Sequence, residues 1–393
     1  MSDNFPLSDI RVLDLSRVLA GPFAGRMLAD LGADVVKIEP PEKDVTRNWG
    51  RKVGSISGYY HQQNAGKKNL CIDLKQADGA KLLKSLVSKA DVLIENFRPD
   101  VMRRLGIDWD TLQPINPGLV MLSISGFGQQ GPEAGRAAYA PIIHAETGSI
   151  YRQAQKTGSR PVEMCMSFAD TNAGLHGLVA LLAALHLRQR TGKGQHIDIA
   201  MVDAMIATDD QTHYHLEQSV VSNNASEVWE ATGGPVILAG DFRYIWHQAT
   251  VELKLADPTP PNSDLATKIE FRRKAFAEFM LSFDSRGDLI QQLNKANLAW
   301  GSVYNTDEYL QNSETLQHRN SIQQIDDRQG GTRPTFQSPY RFSDASSGVR
   351  NGAPWLGEHN EEILTTWLGM QADEILAFQE QQVILSDGPA QSR

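Results

Sequence analysis

Residues 166–177, MSFADTNAGLHG, set one carboxylate, Asp170, just ahead of a long apolar run, LVALLAALHLRQR. Aspartate is a favoured N-cap, and capping alone would account for an acid at a helix start. Three features add a chemical role. The approach, EMCMSFA, is largely apolar, so the carboxylate is partly shielded from water. Gly174 and Gly177 fall in the first turns, where glycine costs about 1 kcal/mol relative to alanine, which points to something packed close against the backbone. Amides at a helix start keep a carboxylate ionised and can stabilise a nearby oxyanion. An ionised carboxylate screened from water can act as a nucleophile. Cap and reagent are both open readings at this level.

The second set of candidates is basic. Lys75 follows the strand-like NLCIDL, Arg98 follows ENF, and Arg103 and Arg104 precede Gly106. A chain of net charge −9 that held a phosphate-rich ligand would have to concentrate such cations locally. Taken singly, each is equally an ordinary solvated surface charge. Other constellations carry less. Asp209, Asp210, His213 and His215 place carboxylates and imidazoles about one helical turn apart, but no third ligand is in view, so no metal is expected. His144 and His176 stand alone beside apolar runs and read as hydrogen-bonded core or surface groups. The sequence has neither G-x-S-x-G nor a P-loop.

The elements that must position these residues follow from periodicity. IRVLDLS, DVVKIEPP, DVLIENF and LVMLSISGFG read as strands. GPFAGRMLADLGA reads as a turn and helix stopped at Gly32, and GAKLLKSLVSKA as an amphipathic helix. Strands alternating with helices of this length predict an α/β fold with a parallel sheet covered on both faces. A strand, a glycine-containing turn, a helix and then Glu39 invite a dinucleotide reading. The turn Gly21-Pro22-Phe23-Ala24-Gly25 lacks the middle glycine of G-x-G-x-x-G, and its proline removes a donor, so NAD or FAD is not expected.

From about 221 to 330 the chain turns polar and mixed, with the proline-rich DPTPPNSD and two surface-type helices, EFRRKAFAEFMLSF and GDLIQQLNKANLAWG. The predicted division is 1–220, 221–330 and 331–393, the last holding a loop that runs into an amphipathic helix in APWLGEHNEEILTTWLGM. The acidic balance argues against nucleic acid as a partner. Two distant cysteines, Cys71 and Cys165, suggest a reducing compartment, and the start shows no secretory signal. A cytoplasmic location is the expectation. AGLHGLVALLAALHL is too short and too interrupted for a membrane span and reads as a buried helix.

Several long stretches in order resemble the class III coenzyme A transferases, the family of formyl-CoA transferase, carnitine CoA-transferase and the α-methylacyl-CoA racemases. They are LDLSRVLAGPFAGRMLADLGADVVKIEPP, NAGKKNLCIDLK, DVLIENFRPDVMRRLGI, FADTNAGLHGLVALLAALHLRQRTGKGQHIDIAM and APWLGEHNEEIL. The resemblance is close over the first two hundred residues, moderate in the tail and thin from 221 to 330. It implies a large Rossmann-like domain built from both chain ends, a smaller α+β domain, and two subunits interlocked as a homodimer. It implies acyl-CoA and a small carboxylic acid as substrates, with no permanently bound cofactor. Asp170 matches the catalytic aspartate. Lys75, Arg98 and Arg104 match positions near the nucleotide and phosphates of CoA. Val18, Ile72, Asn96, Phe97 and Tyr139 match positions lining the CoA site, and Met201 one beside it. Gly233 and Gly234 match, in part, a mobile loop that shields the site.

The implied chemistry exchanges activated acyl groups through an aspartyl anhydride and an aspartyl-CoA thioester. Two departures bear on substrate. Oxalate-active relatives carry His and Gln where this chain has Arg17 and Leu19, and an apolar Leu19 cannot donate a hydrogen bond to oxalate. Many relatives carry an acid where this chain has Ala140. The racemase branch needs a base on each face of the α-carbon, and in it a His–Asp pair stands where this chain has Tyr139 and Ala140. Tyrosine, with a pKa near 10, is a poor base at neutral pH. An α-methylacyl-CoA racemase or epimerase is the enzymatic alternative, and a non-catalytic CoA-binding protein is the third reading.

Overall fold

The computed structural model describes residues 4–219 and 226–387. It forms two compact units, Met1–Asp210 with Leu316–Arg393, and Gln211–Thr315. The first boundary expected from composition, at 220, lies outside the described residues, and the chain leaves the first unit before it. The second also comes earlier than expected, because a hairpin of β10 (Ile322–Asp326) and β11 (Thr332–Phe336) belongs to the first unit. Arg26 donates to the Phe336 carbonyl at 3.0 Å, and Arg333 to that of Ile56 at 3.2 Å. These long-range bonds are invisible in local composition.

The first unit is built on β1 (Arg11–Asp14), β2 (Asp34–Glu39), β3 (Lys68–Cys71), β4 (Val92–Glu95), β5 (Val120–Ser125) and β6 (Gln195–Ala200). They pair in parallel in the order β3-β2-β1-β4-β5-β6. This is the doubly wound order, in which ligands bind outside the carboxyl ends of the strands where the order reverses. Here that switch point lies between β1 and β4. The central strands are apolar in near-continuous runs because both faces are covered. Val12, Val92, Ile94, Leu122 and Ile124 face one core, shared with α1 (Ala20–Asp30), α3 (Ala140–Glu146), α4 (Phe168–Thr191) and α5 (Met201–Thr208). Leu13, Leu93 and Met121 face the other, with α2 (Ala77–Val87) and Ile363, Leu364 and Trp367 of α9 (Asn360–Leu368). Both ends of the chain therefore complete one core.

The helix α4 begins ahead of the apolar run and spans 24 residues, enough by length and composition alone to cross a membrane. It is longer than the sequence suggested because its first turn starts at Phe168. One face, including Ala173, Gly177, Leu178 and Leu181, packs into the core of the sheet, as a core helix of a globular unit does.

In the second unit, β7 (Glu227–Trp229), β8 (Val236–Ala239) and β9 (Ala299–Ser302) form an antiparallel sheet in the order β9-β8-β7. Helices α6 (Phe242–Val251), α7 (Leu265–Met280) and α8 (Arg286–Lys295) bury Ile245, Phe276, Met280 and Leu289 with Trp229 and Leu238. The two helices that read as surface elements thus supply much of this unit's core.

Candidate active site

Asp170 is the third residue of α4 and not its cap. Ser167, at the cap position, makes no side-chain bond. Instead His144 of α3 reaches across, and its Nε2 accepts the Ala169 amide at 3.1 Å. Burial holds the His144 imidazole below its ordinary pKa, which suits a ring nitrogen that must accept. Relieved of capping, the Asp170 carboxylate accepts the backbone amides of Ala20 and Ala140. These are the first residues of α1 and α3. Three helix starts therefore meet at one carboxylate, and the unpaired amides of helix N-termini favour an anion there. Burial opposes them and prevails, lifting the Asp170 pKa to about 6 against the pull of Ala140 and Ala20. At neutral pH the group is ionised yet poorly hydrated, the condition for a nucleophilic carboxylate.

The approach of α1 to α4 depends on Gly174. A Cβ there would stand 2.7 Å from the Ala20 carbonyl oxygen and 3.0 Å from the Phe23 ring. The glycine lets Ala20 come close enough to donate to Asp170, one turn earlier on the same helix. Gly25 has a different use from the one a dinucleotide motif would give it. A Cβ at Gly25 would fall 2.5 Å from an Asp14 oxygen, and that carboxylate is fully buried against Lys67 at 2.7 Å. Lys67 also donates to the carbonyl of Pro22 at 2.8 Å. The glycine-containing turn accommodates a buried ion pair.

The loop between β1 and α1 is held through the backbone of Ser16, Arg17 and Val18. The Ser16 amide donates to Asp14 at 3.0 Å and the Ser16 carbonyl accepts from Lys37 at 2.6 Å. Asn96 takes the Arg17 amide and returns a bond to the Arg17 carbonyl, both at 2.8 Å. The Val18 amide donates to Asp44 at 3.2 Å. Val18 sits at φ +68°, an outlier for a β-branched residue that persists only where its surroundings over-determine it. Asn96 comes from the end of β4, so this clamp spans the switch point. Glu95 fixes the next step by accepting the Phe97 amide at 2.8 Å.

A cavity of about 110 Å³ opens over this junction, lined among others by Arg17, Val18, Asn96, Phe97, Arg98, Tyr139, Asp170 and Met201. Eight residues named from the sequence are thus brought together. Arg17 lies 6.0 Å over the Phe97 ring. Among the described residues neither Arg17 nor Arg98 has a carboxylate partner, so both cations are free to meet an anion.

The others fall elsewhere. Leu19, the last residue of the loop, is buried and does not line the cavity. Ile72 is fully buried, bridged to Ile384, so its side chain belongs to the core. Lys75 and Arg104 are exposed and paired locally, with Glu42 and with Asp100 at 3.1 Å. Gly233 and Gly234 belong to the second unit, at φ +76° and +111°, in a turn where Arg286 donates to the Gly234 carbonyl. Ala140 contributes a backbone amide, which any residue except proline supplies, so an acid is not required there.

Sequence reading missed three groups. Arg136 lines the cavity but is held by Glu133 and by Glu146 at 2.7 Å. Tyr59 is pushed up to about 12 by burial and by the charge of Asp170. Ser125, at the end of β5, also lines the cavity. None carries a local signal, although Ser125 ends a strand at the ligand-binding edge of a doubly wound sheet. No group of three or more His, Cys, Asp or Glu among the described residues could hold a metal.

A half-buried carboxylate at a sheet switch point shares this cavity with two arginines that have no carboxylate partner among the described residues. The model of CoA-transferase family III matches residues 7–360. The chain belongs to that family. As a family III CoA-transferase it is 34% identical to a succinate–glutarate CoA-transferase of Agrobacterium fabrum, over 91% of this chain and 95% of the relative. It is 32% identical to a succinyl-CoA–D-citramalate CoA-transferase of Chloroflexus aurantiacus, over 96% and 98%. Among solved structures, a CAIB/BAIF family protein from Brucella suis superposes with a TM-score of 0.79 at 32% identity, covering 92% of this chain and 98% of that one. The chain is therefore an enzyme of the CoA-transferase class, whose substrates are CoA thioesters.

Proposed function

We propose that this transferase moves CoA from an acyl-CoA donor to a carboxylic acid through covalent intermediates on Asp170. The observation that carries the reading is the Asp170 carboxylate, half-buried where three helix starts meet and lining the cavity with Arg17 and Arg98. An Asp170 oxygen attacks the donor thioester carbonyl, the C–S bond breaks, and an aspartyl–acyl anhydride and CoA thiolate result. The thiolate attacks the Asp170 carbonyl, releasing the donor acid and leaving an aspartyl-CoA thioester. The acceptor carboxylate attacks that thioester and forms a second anhydride. The thiolate then takes the acceptor acyl group and frees Asp170. One negative charge is carried through each step, and every step exchanges acyl groups of similar activation, so no external energy source enters.

Arg98 is assigned to the CoA phosphates and Arg17 to the far carboxylate of a dicarboxylic acid. The relatives named for succinate and glutarate support that class of acceptor. A second copy of the chain is proposed as partner. The support is an apolar stripe of α4 left open in the single chain: Leu175 at 44%, Val179 at 66% and Leu182 at 37% exposure. Its sedimentation as a dimer would agree with this.

The test is direct. Incubation with succinyl-CoA, then hydroxylamine or borohydride, is expected to change the mass of the Asp170 peptide, and Asp170→Ala is expected to abolish transfer while CoA affinity changes by no more than a few-fold. Comparable transfer by variant and parent would refute the assignment. Exchange of deuterium into the α-position of a 2-methylacyl-CoA would instead mark a racemase, and binding without any adduct would mark a CoA-binding protein.

A further inference from the structure

Among the described residues, several buried side-chain polar atoms lack a hydrogen-bond partner, and of these Ser125 Oγ alone belongs to a residue lining the Asp170 cavity. Ser125 is 7% exposed. Its neighbours show that partners are normally provided here. Ser123, two residues earlier on the same strand, lies 2.9 Å from His196 Nε2, and Ser16 donates to Asp14. A buried hydroxyl without a partner weakens a fold. Such a group in a reaction cavity is an unused donor awaiting an acceptor that arrives with substrate.

Resting on the reading of Asp170 as nucleophile, the reaction has two kinds of tetrahedral oxyanion. In the second and third steps the oxyanion is on the Asp170 carbonyl, whose oxygens already accept the Ala20 and Ala140 amides. In the first and last steps it is on the carbonyl of the substrate acyl group. The two amides are engaged by Asp170 itself and cannot serve that second oxygen. We propose that the Ser125 hydroxyl donates a hydrogen bond to the substrate carbonyl oxygen in the first step, which makes the donor anhydride, and in the last, which resolves the acceptor anhydride. The attacking Asp170 oxygen forms the C–O bond, the carbonyl π pair moves to the oxygen facing Ser125, and the pair returns as the C–S bond breaks and CoA leaves as thiolate. The Ser125 proton stays on its oxygen throughout. Ser125 is thus a catalytic residue for the substrate half of the exchange, and the helix-start amides serve the enzyme half.

The experiment uses the full-length enzyme, Ser125→Ala and Ser125→Thr, with succinyl-CoA as probe. The rate of appearance of the Asp170–CoA adduct is followed by quenched-flow mass analysis. The rate at which hydroxylamine then converts it to the Asp170 hydroxamate and free CoA is measured separately. Ser125→Ala is expected to slow adduct formation about 100-fold, as loss of one oxyanion donor does, while hydroxylaminolysis keeps the parental rate. Its melting temperature is expected at or above that of the parent, because no protein bond is lost, and Ser125→Thr is expected to restore most of the rate. Adduct formation by Ser125→Ala within threefold of the parent overturns the proposal, as does equal slowing of both reactions. A lowered melting temperature without rescue by threonine would mark a structural residue and overturn it too. In all these cases the parent still forms its adduct, so the Asp170 reading stands. A parent with no adduct at Asp170 removes both.

Discussion

Asp170→Asn separates what the site does for chemistry from what it does to the fold. Burial, against the two amides, lifts this carboxyl from its ordinary 3.8 to about 6. A shift of about two units corresponds to roughly 3 kcal/mol between protonation states. Because the folded-state value is raised, the stabilising contribution is complete below pH ~4 and is lost as pH rises through about 6. At pH 7.5 the ionised, poorly hydrated carboxylate therefore burdens the folded state by roughly 3 kcal/mol. Asparagine has no charge to dehydrate, but its single oxygen serves only one of the two amides, which gives back about 1 kcal/mol. The variant is expected to be inactive and about 2 kcal/mol more stable than the parent at pH 7.5, with the gain vanishing near pH 4. Urea unfolding of both proteins across that range measures it. In the parent, kcat/KM for the acyl-CoA should fall about tenfold per pH unit below about 6. A variant less stable than the parent at pH 7.5 would refute the reasoning, since the carboxylate would then be supporting the fold.

Arg98→Ala is expected to raise KM for acyl-CoA about tenfold, and more in salt, through the loss of a charge-assisted contact. Lys75→Ala, whose side chain is 71% exposed and held by Glu42, should change KM less than threefold, so equal effects in steady-state kinetics would contradict the assignment. Gly174→Ala should force α1 from α4, lowering stability by about 1–3 kcal/mol and kcat with it; an unchanged melting temperature and kcat would show that the close approach is dispensable. Asn96→Ala should release the Arg17–Val18 loop and lower kcat about tenfold or more, and a variant within twofold of the parent would free that clamp of any part in catalysis.

Much of the fold was legible because burial on both faces leaves a local trace. The strands from Arg11, Asp34, Val92 and Val120 are runs of branched apolar residues, and Gly32 marks the end of α1 at φ +103°. The apolar approach and the paired glycines marked Asp170 as more than a cap. Local pattern could not show that α4 starts before Asp170, so that the cap is supplied by His144 from another helix. Nor could it show which basic residues would converge. Arg17 and Arg98 meet across the switch point, whereas Lys75 and Arg104 stay paired at the surface. Ser125 had only its place at a strand end, since a lone serine there gains meaning only when its surroundings omit a partner.

The chain order of residues thus determined the alternation of strands and helices, the candidate carboxylate and the supply of cations, because periodicity and residue chemistry are properties of short segments. The elevated affinity of Asp170 for its proton, the two amides that face it, the strained Val18 loop and the grouping of the cavity were decided only by tertiary structure. Each depends on segments distant in the chain or on strands reordered in the sheet, and desolvation is set by what closes around a group, not by its neighbours in sequence.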